Sequence, residues 1–235
     1  PATLELIILS LTLALSIGVP LGRAGARLKT GFTRKVADYY GLFAGALPDF
    51  WLALVFIYIF YSVYSLVPAP LGRLDFMIIP PQIVTGSLLI DSILDLNFQA
   101  FKNSAGHLVL PVLTLGLINA GPILKMTQAT MERMLEEDFS KYAELCGLPD
   151  KVIAKKAFRN SLPSVITIVS VLFGFLIGGA VLVEIVFSWG GAGQYAVNGV
   201  LNADFNPVLG FVLISALFSL VIYLIVDLLY FYIDP

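Results

Sequence analysis

Apolar residues in this chain come in long blocks, with no strand-period alternation between them. Five blocks run roughly Leu4–Gly22, Val36–Val67, Leu108–Met131, Pro163–Phe187 and Pro207–Ile233. Each reaches the ~20 helical residues needed to cross a hydrocarbon layer ~30 Å thick. The second is long and broken by Pro48, and the last turns of the third become polar. Pro111, Pro163 and Pro207 stand where helices are expected to start, because a proline in the first turn lacks an N–H that would go unpaired anyway. A membrane β-barrel would instead show alternating segments of about 10 residues. The pattern therefore predicts an all-α integral membrane protein, a polytopic helical bundle with five spans.

The segment Lys141–Pro163 breaks the apolar pattern. It reads as a small amphipathic helix hairpin, the first helix continuing the third span through Glu132–Asp138. Tyr142, Leu145 and Cys146 share an i, i+3, i+4 face, and Gly147 is placed to end that helix. Asp150 is placed to cap a second helix, Lys151–Asn160. There Val152, Ile153, Ala157 and Phe158 point one way, and Lys151, Lys155, Lys156 and Arg159 point toward water or lipid headgroups. Such a hairpin is too small to be a domain, so its apolar face needs either the bilayer surface or another protein.

Composition agrees. Of 235 residues, 58% are hydrophobic and 13% charged, about half the charge of a soluble domain. Mean hydropathy is +0.91. A net charge of −2 argues against a nucleic-acid partner. One cysteine, Cys146, excludes an internal disulfide and any multi-cysteine metal site. The single histidine, His107, reads as a loop residue beside Pro111. Charge also orients the spans. Arg23, Arg27, Lys29, Arg34, Lys35, Lys125, Arg133, Lys141, Lys151, Lys155, Lys156 and Arg159 fall on one side, against only Arg73 and Lys102 on the other. The positive-inside rule makes the richer side cytoplasmic, with the C-terminus inside and the N-terminus outside. The chain starts at Pro1 straight into an apolar run, so a further span is expected before it, making six.

Candidate chemistry within the spans is sparse. Gly18–Gly22, Gly41–Gly45 and Gly174–Gly178 form GxxxG patterns, read mainly as helix-packing faces. Asp49, Glu184 and Asp227 are acidic groups in or near the spans, where charge is costly and a functional role is the default reading. For Glu184 and Asp227 a structural polar contact is favoured; for Asp49 local capping beside Pro48 competes with ion binding. Trp51, Tyr58 and Tyr61 are read chiefly as packing aromatics, with lining of a solute path as the alternative. Asp49, Trp51 and Glu184 are the candidates for a translocation path or gate. No phosphate-binding loop is present, Gly190-Gly191-Ala192-Gly193 being read as a tight outer turn. One histidine far from Cys146 builds no nucleophile–base set, so the chain is expected to catalyse nothing itself.

Ala143…Gly147…Arg159-Asn160-Ser161-Leu162-Pro163 resembles the EAA loop of ABC-importer permeases, and the whole chain resembles the oligopeptide/dipeptide type. Supporting matches are Leu47-Pro48-Asp49-Phe50-Trp51-Leu52-Ala53, His107-Leu108-Val109-Leu110-Pro111, Glu137-Asp138-Phe139, Glu184-Ile185-Val186-Phe187-Ser188-Trp189, and Val226-Asp227-Leu228-Leu229-Tyr230 with Asp234-Pro235. Three positions depart from the pattern: Lys141-Tyr142 stands where the general motif has Glu-Ala, Pro163 comes one residue early, and Gly190 replaces a proline.

The resemblance implies a single type I permease domain over 1–235, with a cytoplasmic coupling loop about 132–162 and outer loops about 68–107 and 188–206. It implies a coupling helix docking on an ATPase through Tyr142, Ala143, Glu144, Leu145, Cys146, Gly147 and Leu148, Ala143–Leu148 being the docking part and Lys151–Asn160 a brace. The implied partners are a second permease subunit, usually a related but different one, two ATPase subunits that hold the ATP, and an extracytoplasmic binding protein. No cofactor is expected on this chain. The solute implied first is a short peptide, with oligosaccharide or nickel as alternatives, moved across the plasma or inner membrane. The rival reading is a secondary transporter or channel driven by an ion gradient. It would need ionisable residues in helix interiors and an internal repeat, and neither is evident. An intramembrane enzyme would need a catalytic set that the spans lack.

Overall fold

The computed structural model describes residues 1–28 and 30–233, so Lys29, Asp234 and Pro235 lie outside the described residues. Nine helices are described: α1 (Ala2–Arg27), α2 (Phe32–Ala44), α3 (Asp49–Phe56, continued by a π-helical stretch Ile57–Val63), α4 (Leu88–Leu94), α5 (Phe98–Glu136), α6 (Asp138–Leu145), α7 (Asp150–Val186), α8 (Ala192–Leu201) and α9 (Phe205–Ile233). Among the described residues there is no strand. α1, α5, α7 and Phe205–Phe231 of α9 are each long and apolar enough to cross a membrane, and α2 with Asp49–Val63 forms a fifth, interrupted apolar element. The fold is the expected all-α polytopic bundle.

The interruption is local chemistry. Pro48 holds φ at −66° and cannot donate, which drives the residue before it out of the helical region. Its carbonyl instead receives the first amides of α3, Trp51 N–H at 3.1 Å and Leu52 N–H at 3.2 Å.

The chain forms two compact units. The first comprises Pro1–Thr12, Leu47–Gly116 and Phe173–Ser219; the second comprises Leu13–Ala46, Leu117–Leu172 and Leu220–Pro235.

In the second unit, α1 packs on α5 through glycine. A Cβ on Gly18 would stand 2.8 Å from the Ala120 carbonyl oxygen, and one on Gly22 2.7 Å from that of Leu124. Gly121 of α5 receives Ala44 of α2 in the same way, with 2.7 Å to the Ala44 Cβ. In the same unit, Ala26, Met131, Ala154 and Ala157 form a small buried cluster flanked by Met134, Leu135 and Phe158. A polar network joins α1, α2 and α5 there as well. The Arg34 guanidinium donates to Asp38 (2.9 Å), to the Gly25 carbonyl (3.0 Å) and to Glu132, while Gln128 donates to Asp38 at 2.9 Å.

In the first unit, the connection between the second and third apolar runs is more ordered than the sequence suggests. Its last residues are the first turns of α5, and it also holds α4. His107 is consequently not a loop residue: it is buried within α5, its Nε2 3.1 Å from Asp75 Oδ1. Asn103, one turn before it, accepts from the Asp75 N–H at 2.9 Å. The part of the link around Asp75 is thus held against α5 by side chains one turn apart. A buried carboxylate organises the turn before α4. Asp91 accepts from the Thr85 N–H and hydroxyl (2.8 Å each) and from the Gly86 N–H (2.9 Å).

Further expectations need correction. Pro111 and Pro163 do not start helices; both lie well inside α5 and α7. Polar residues before each proline extend the helix beyond the apolar run, and a span sequence marks only the hydrocarbon part of a helix. Pro207 does sit in the first turn of α9. The 188–206 connection contains α8, so Gly193 is helical, whereas Gly190 does turn the chain at φ +68°. Of the GxxxG patterns only Gly18–Gly22 packs both glycines within its helix. Gly45 falls at the C-cap of α2, and nothing stands within 4 Å of a Cβ on Gly178.

Gly22→Ala should therefore destabilise the full-length permease by about 1–3 kcal/mol through overpacking, whereas Gly178→Ala should be neutral or slightly stabilising. Thermal unfolding in detergent of the two variants side by side checks the contrast. Burial pushes the Asp91 carboxyl up, but the bonds from Thr85, Gly86 and Val84 outweigh it and hold it below the ordinary value of 3.8. Its contribution is thus complete above that value and lost as pH falls through the lower folded value. Protection of the Gly86 amide, taken relative to its intrinsic exchange rate at each pH, should be high at neutral pH and fall only in stronger acid; in Asp91→Asn it should be low throughout.

Candidate functional site

The polar stretch between the third and fourth spans forms one short helix between two long ones. α5 ends at Glu136, Glu137 takes an extended conformation (ψ 154°), and α6 begins at Asp138. The expected continuous helix through Glu132–Asp138 is broken there. Ser140 explains the geometry: its hydroxyl donates back to the Met134 carbonyl at 2.7 Å, folding α6 against the end of α5. Ser140 and Ala143 are the buried side of α6.

α6 ends where Gly147 was expected to end it. Gly147 N–H donates to Glu144 O at 2.9 Å and Leu148 N–H to Ala143 O at 3.1 Å, with Gly147 at φ +74°. This paired closure, a Schellman motif, requires the left-handed conformation that glycine adopts at little cost. No atom stands within 4 Å of a Cβ built there, so backbone conformation alone selects the residue.

Ala143 is the only buried member of the predicted coupling set. Tyr142 is 70% and Leu145 87% exposed, and Glu144, Cys146, Gly147 and Leu148 are exposed as well. The apolar face foreseen at Tyr142, Leu145 and Cys146 therefore has no cover among the described residues. The helix itself is Asp138–Leu145, so Cys146–Leu148 form its cap and Ala143–Leu148 does not stand as a separate helix. Exposed pairs on this segment, Lys141 with Asp138 at 3.5 Å and Arg133 with Glu137 at 3.9 Å, add little stability.

The expected second hairpin helix, Lys151–Asn160, is not separate either. It is the first part of α7, which continues through Pro163. Its buried face is Ile153, Ala154 and Ala157 with Phe158 half-buried, and Val152 is exposed. Lys151, Lys155, Lys156 and Arg159 are exposed as expected. Asp150 lies in the first turn of α7.

The path candidates lie in the first unit. Asp49 opens α3 and is half-buried; Trp51 is 47% exposed. Glu184 is fully buried, and its oxygens accept from the Thr3 hydroxyl at 2.6 Å and the Gln194 N–H at 2.9 Å. Thr3 in turn accepts from the Ala192 N–H at 2.8 Å, and the Trp189 indole donates to the Ala2 carbonyl at 3.2 Å. Gly191 and Gly193 lie against the Glu184 carboxylate, where a Cβ would collide. The structural contact favoured for Glu184 is what the geometry shows: it clamps the start of α1 to the α7–α8 corner. Thr3 and Ala192 were not foreseen, because nothing in a threonine or a backbone amide marks it as the partner of a carboxylate 181 positions away. Asp227 is exposed on α9. No group of three or more metal-ligating side chains occurs among the described residues.

These features define a helical, multi-pass membrane protein with a short exposed helix slung between two spanning helices. The chain belongs to the family of binding-protein-dependent transport system inner membrane components, whose model matches residues 18–235. It is similar to the probable D,D-dipeptide transport system permease protein of Escherichia coli K12, 37% identical over 236 residues, covering all of this chain and 69% of that one. It is 34% identical to a dipeptide transport system permease protein of Alkalihalophilus pseudofirmus, covering all of this chain and 70% of the relative. A peptide transport system permease protein of Salmonella typhimurium is 28% identical, over 97% of this chain and 72% of its own length. The protein is thus a membrane-spanning permease subunit of an ABC importer, a non-enzymatic component whose ATPase activity lies with partner subunits.

Glu184→Ala would leave the Thr3 hydroxyl and the Gln194 amide unpaired in a buried site, at about 1–3 kcal/mol per group. The expected result is a lower melting temperature and faster proteolysis near Gly190–Gly193. Gln194→Ala, which keeps the backbone donor to Glu184, should change the clamp far less.

Proposed function

We propose that this permease moves short peptides and that α6 is the element through which an ATPase subunit drives it. The observation that carries the coupling reading is the unpartnered apolar face of Tyr142 and Leu145 on a helix tethered directly to α5 and α7. A docking helix needs an apolar face for its partner and a firm attachment behind it; the Ser140 bond and the glycine closure supply the attachment. On this reading the side bearing α6 and the C-terminus is cytoplasmic, in keeping with the bias of Lys and Arg. A second permease subunit, two ATPases and an external binding protein complete the importer. ATP-driven closure of the ATPases pushes α6, and the attached helices switch the path between inward-open and outward-open states. Asp49 and Trp51, half-buried and exposed in the first unit, remain the path candidates. The peptide reading rests on the named transport role of the dipeptide permeases to which the chain is similar.

In the reconstituted importer with its binding protein, Leu145→Glu should lower substrate-stimulated ATP hydrolysis at least tenfold, with permease assembly intact. Unchanged stimulation would rule out the coupling assignment. Cys146, the single cysteine of the sequence, provides a topological test. A membrane-impermeant maleimide should label it in inside-out vesicles and not in right-side-out ones. Stimulation of ATP hydrolysis by binding protein loaded with dipeptide, and not with nickel or an oligosaccharide, is the expected outcome for the solute.

A further inference from the structure

The second unit carries a groove apart from α6, bordering the buried cluster at Ala154 and Phe158. α1 contributes Arg23 and Arg27 to its rim and α7 contributes Lys151 and Lys155. Its floor is apolar, made by Pro20, Ala24, Ala154 and the Phe158 ring, and it encloses about 670 Å³. The Arg23 guanidinium lies 4.2 Å from the centre of the Phe158 ring, so an aromatic wall holds it in place. All four cations are exposed, and among the described residues none of them forms an ion pair with a carboxylate. Arg34, in the same unit, is by contrast neutralised by Asp38 and Glu132.

The arrangement is electrostatically unfavourable by itself. Arg23 with Arg27, and Lys151 with Lys155, are like-charge pairs four residues apart on one helix, a spacing that destabilises. Asp150 in the first turn of α7 already answers the helix dipole there. What a bound anion would relieve is the repulsion within the two like-charge pairs. Arg23 directly follows the apolar run that ends at Gly22, which places the rim at the boundary between hydrocarbon and water. The anion available at that depth, above an apolar floor, is a lipid phosphate.

We propose that this groove is a binding site for an anionic phospholipid, its phosphate held by Arg23, Arg27, Lys151 and Lys155 and its acyl chain laid along Pro20, Ala24 and Phe158. The site is independent of the coupling and solute readings, and requires only that α1 spans the membrane.

The test uses the full-length permease in its purified complex, with native mass spectrometry counting retained phosphatidylglycerol against phosphatidylcholine. Each basic residue near an anionic surface contributes about fivefold in affinity, so Lys151→Gln/Lys155→Gln and, separately, Arg23→Gln/Arg27→Gln should each weaken phosphatidylglycerol retention roughly 25-fold. Lys35→Gln/Arg133→Gln, which removes the same charge elsewhere on the unit, should leave it unchanged. The lysine pair is exposed and outside the core, so its variant keeps the test valid even if the arginine variant folds poorly. Equal losses in the control variant would overturn the proposal in favour of diffuse charge, and unchanged retention in the lysine variant would overturn it outright. Displacement of the lipid by millimolar inorganic phosphate would assign the groove to a free anion. Loss of a partner subunit from the lysine variant with lipid retention intact would assign it to an acidic protein surface.

Discussion

A peptide group in hydrocarbon has no water to bond, so each span must satisfy its own backbone. That constraint accounts for most of this fold. It forces the apolar runs into helices, and Pro111, Pro122 and Pro163 inside α5 and α7 are exceptions to it, each lacking the amide that would bond the carbonyl four residues before. It also governs the polar side chains left within the spans. Thr114 and Thr127, both buried, each turn the hydroxyl back to the carbonyl four residues earlier, at 2.8 and 2.7 Å, so burying the hydroxyl costs little. At Pro163 the carbonyl receives the Thr167 hydroxyl at 2.9 Å and the Tyr230 hydroxyl at 3.1 Å.

Once every backbone is internally satisfied, helices hold together by close approach and by rare polar contacts. Both devices appear. Gly18, Gly22 and Gly121 remove side-chain bulk where α1 and α2 meet α5, and a Cβ at any of them would come within 3 Å of a neighbour. Glu184 does the opposite, placing a carboxylate at zero exposure and surrounding it with donors from Thr3 and Gln194. Gly191 and Gly193 serve the clamp by absence, because space for the carboxylate exists only where they have no side chain.

The same physics decides what could be read from the sequence. Four unbroken spans, the helical class and the break at Pro48 were legible because they follow from run length and from proline, both local. The end of α6 at Gly147 was legible for the same reason. The helix start at Phe98 was not, nor was the continuity of Asp150–Val186 through Pro163, because polar helical turns beyond the membrane leave no hydropathy signal. His107 was misplaced on the same account, its role set by Asp75 in a distant link. Exposure of Tyr142 and Leu145 was legible as an amphipathic pattern, whereas the tether behind them was not. A serine hydroxyl bonding a carbonyl six residues back looks like any other serine.

That tether bears on how a push on α6 would travel. A two-turn helix on flexible linkers would absorb displacement in its links. Here the link to α5 is Glu137 alone, and Ser140 bonds across it to Met134. The link to α7 is closed by two bonds that wrap Gly147 and Leu148 onto the last turn. The first turns of α7 are in turn seated in the Ala26, Met131, Ala154 and Ala157 cluster, which includes residues of α1 and α5. A push on α6 would therefore be shared among these three long helices. Pro20 in α1, Pro111 and Pro122 in α5 and Pro163 in α7 lack the amide that would stiffen the preceding turn, so a helix carrying such a push would bend most readily there.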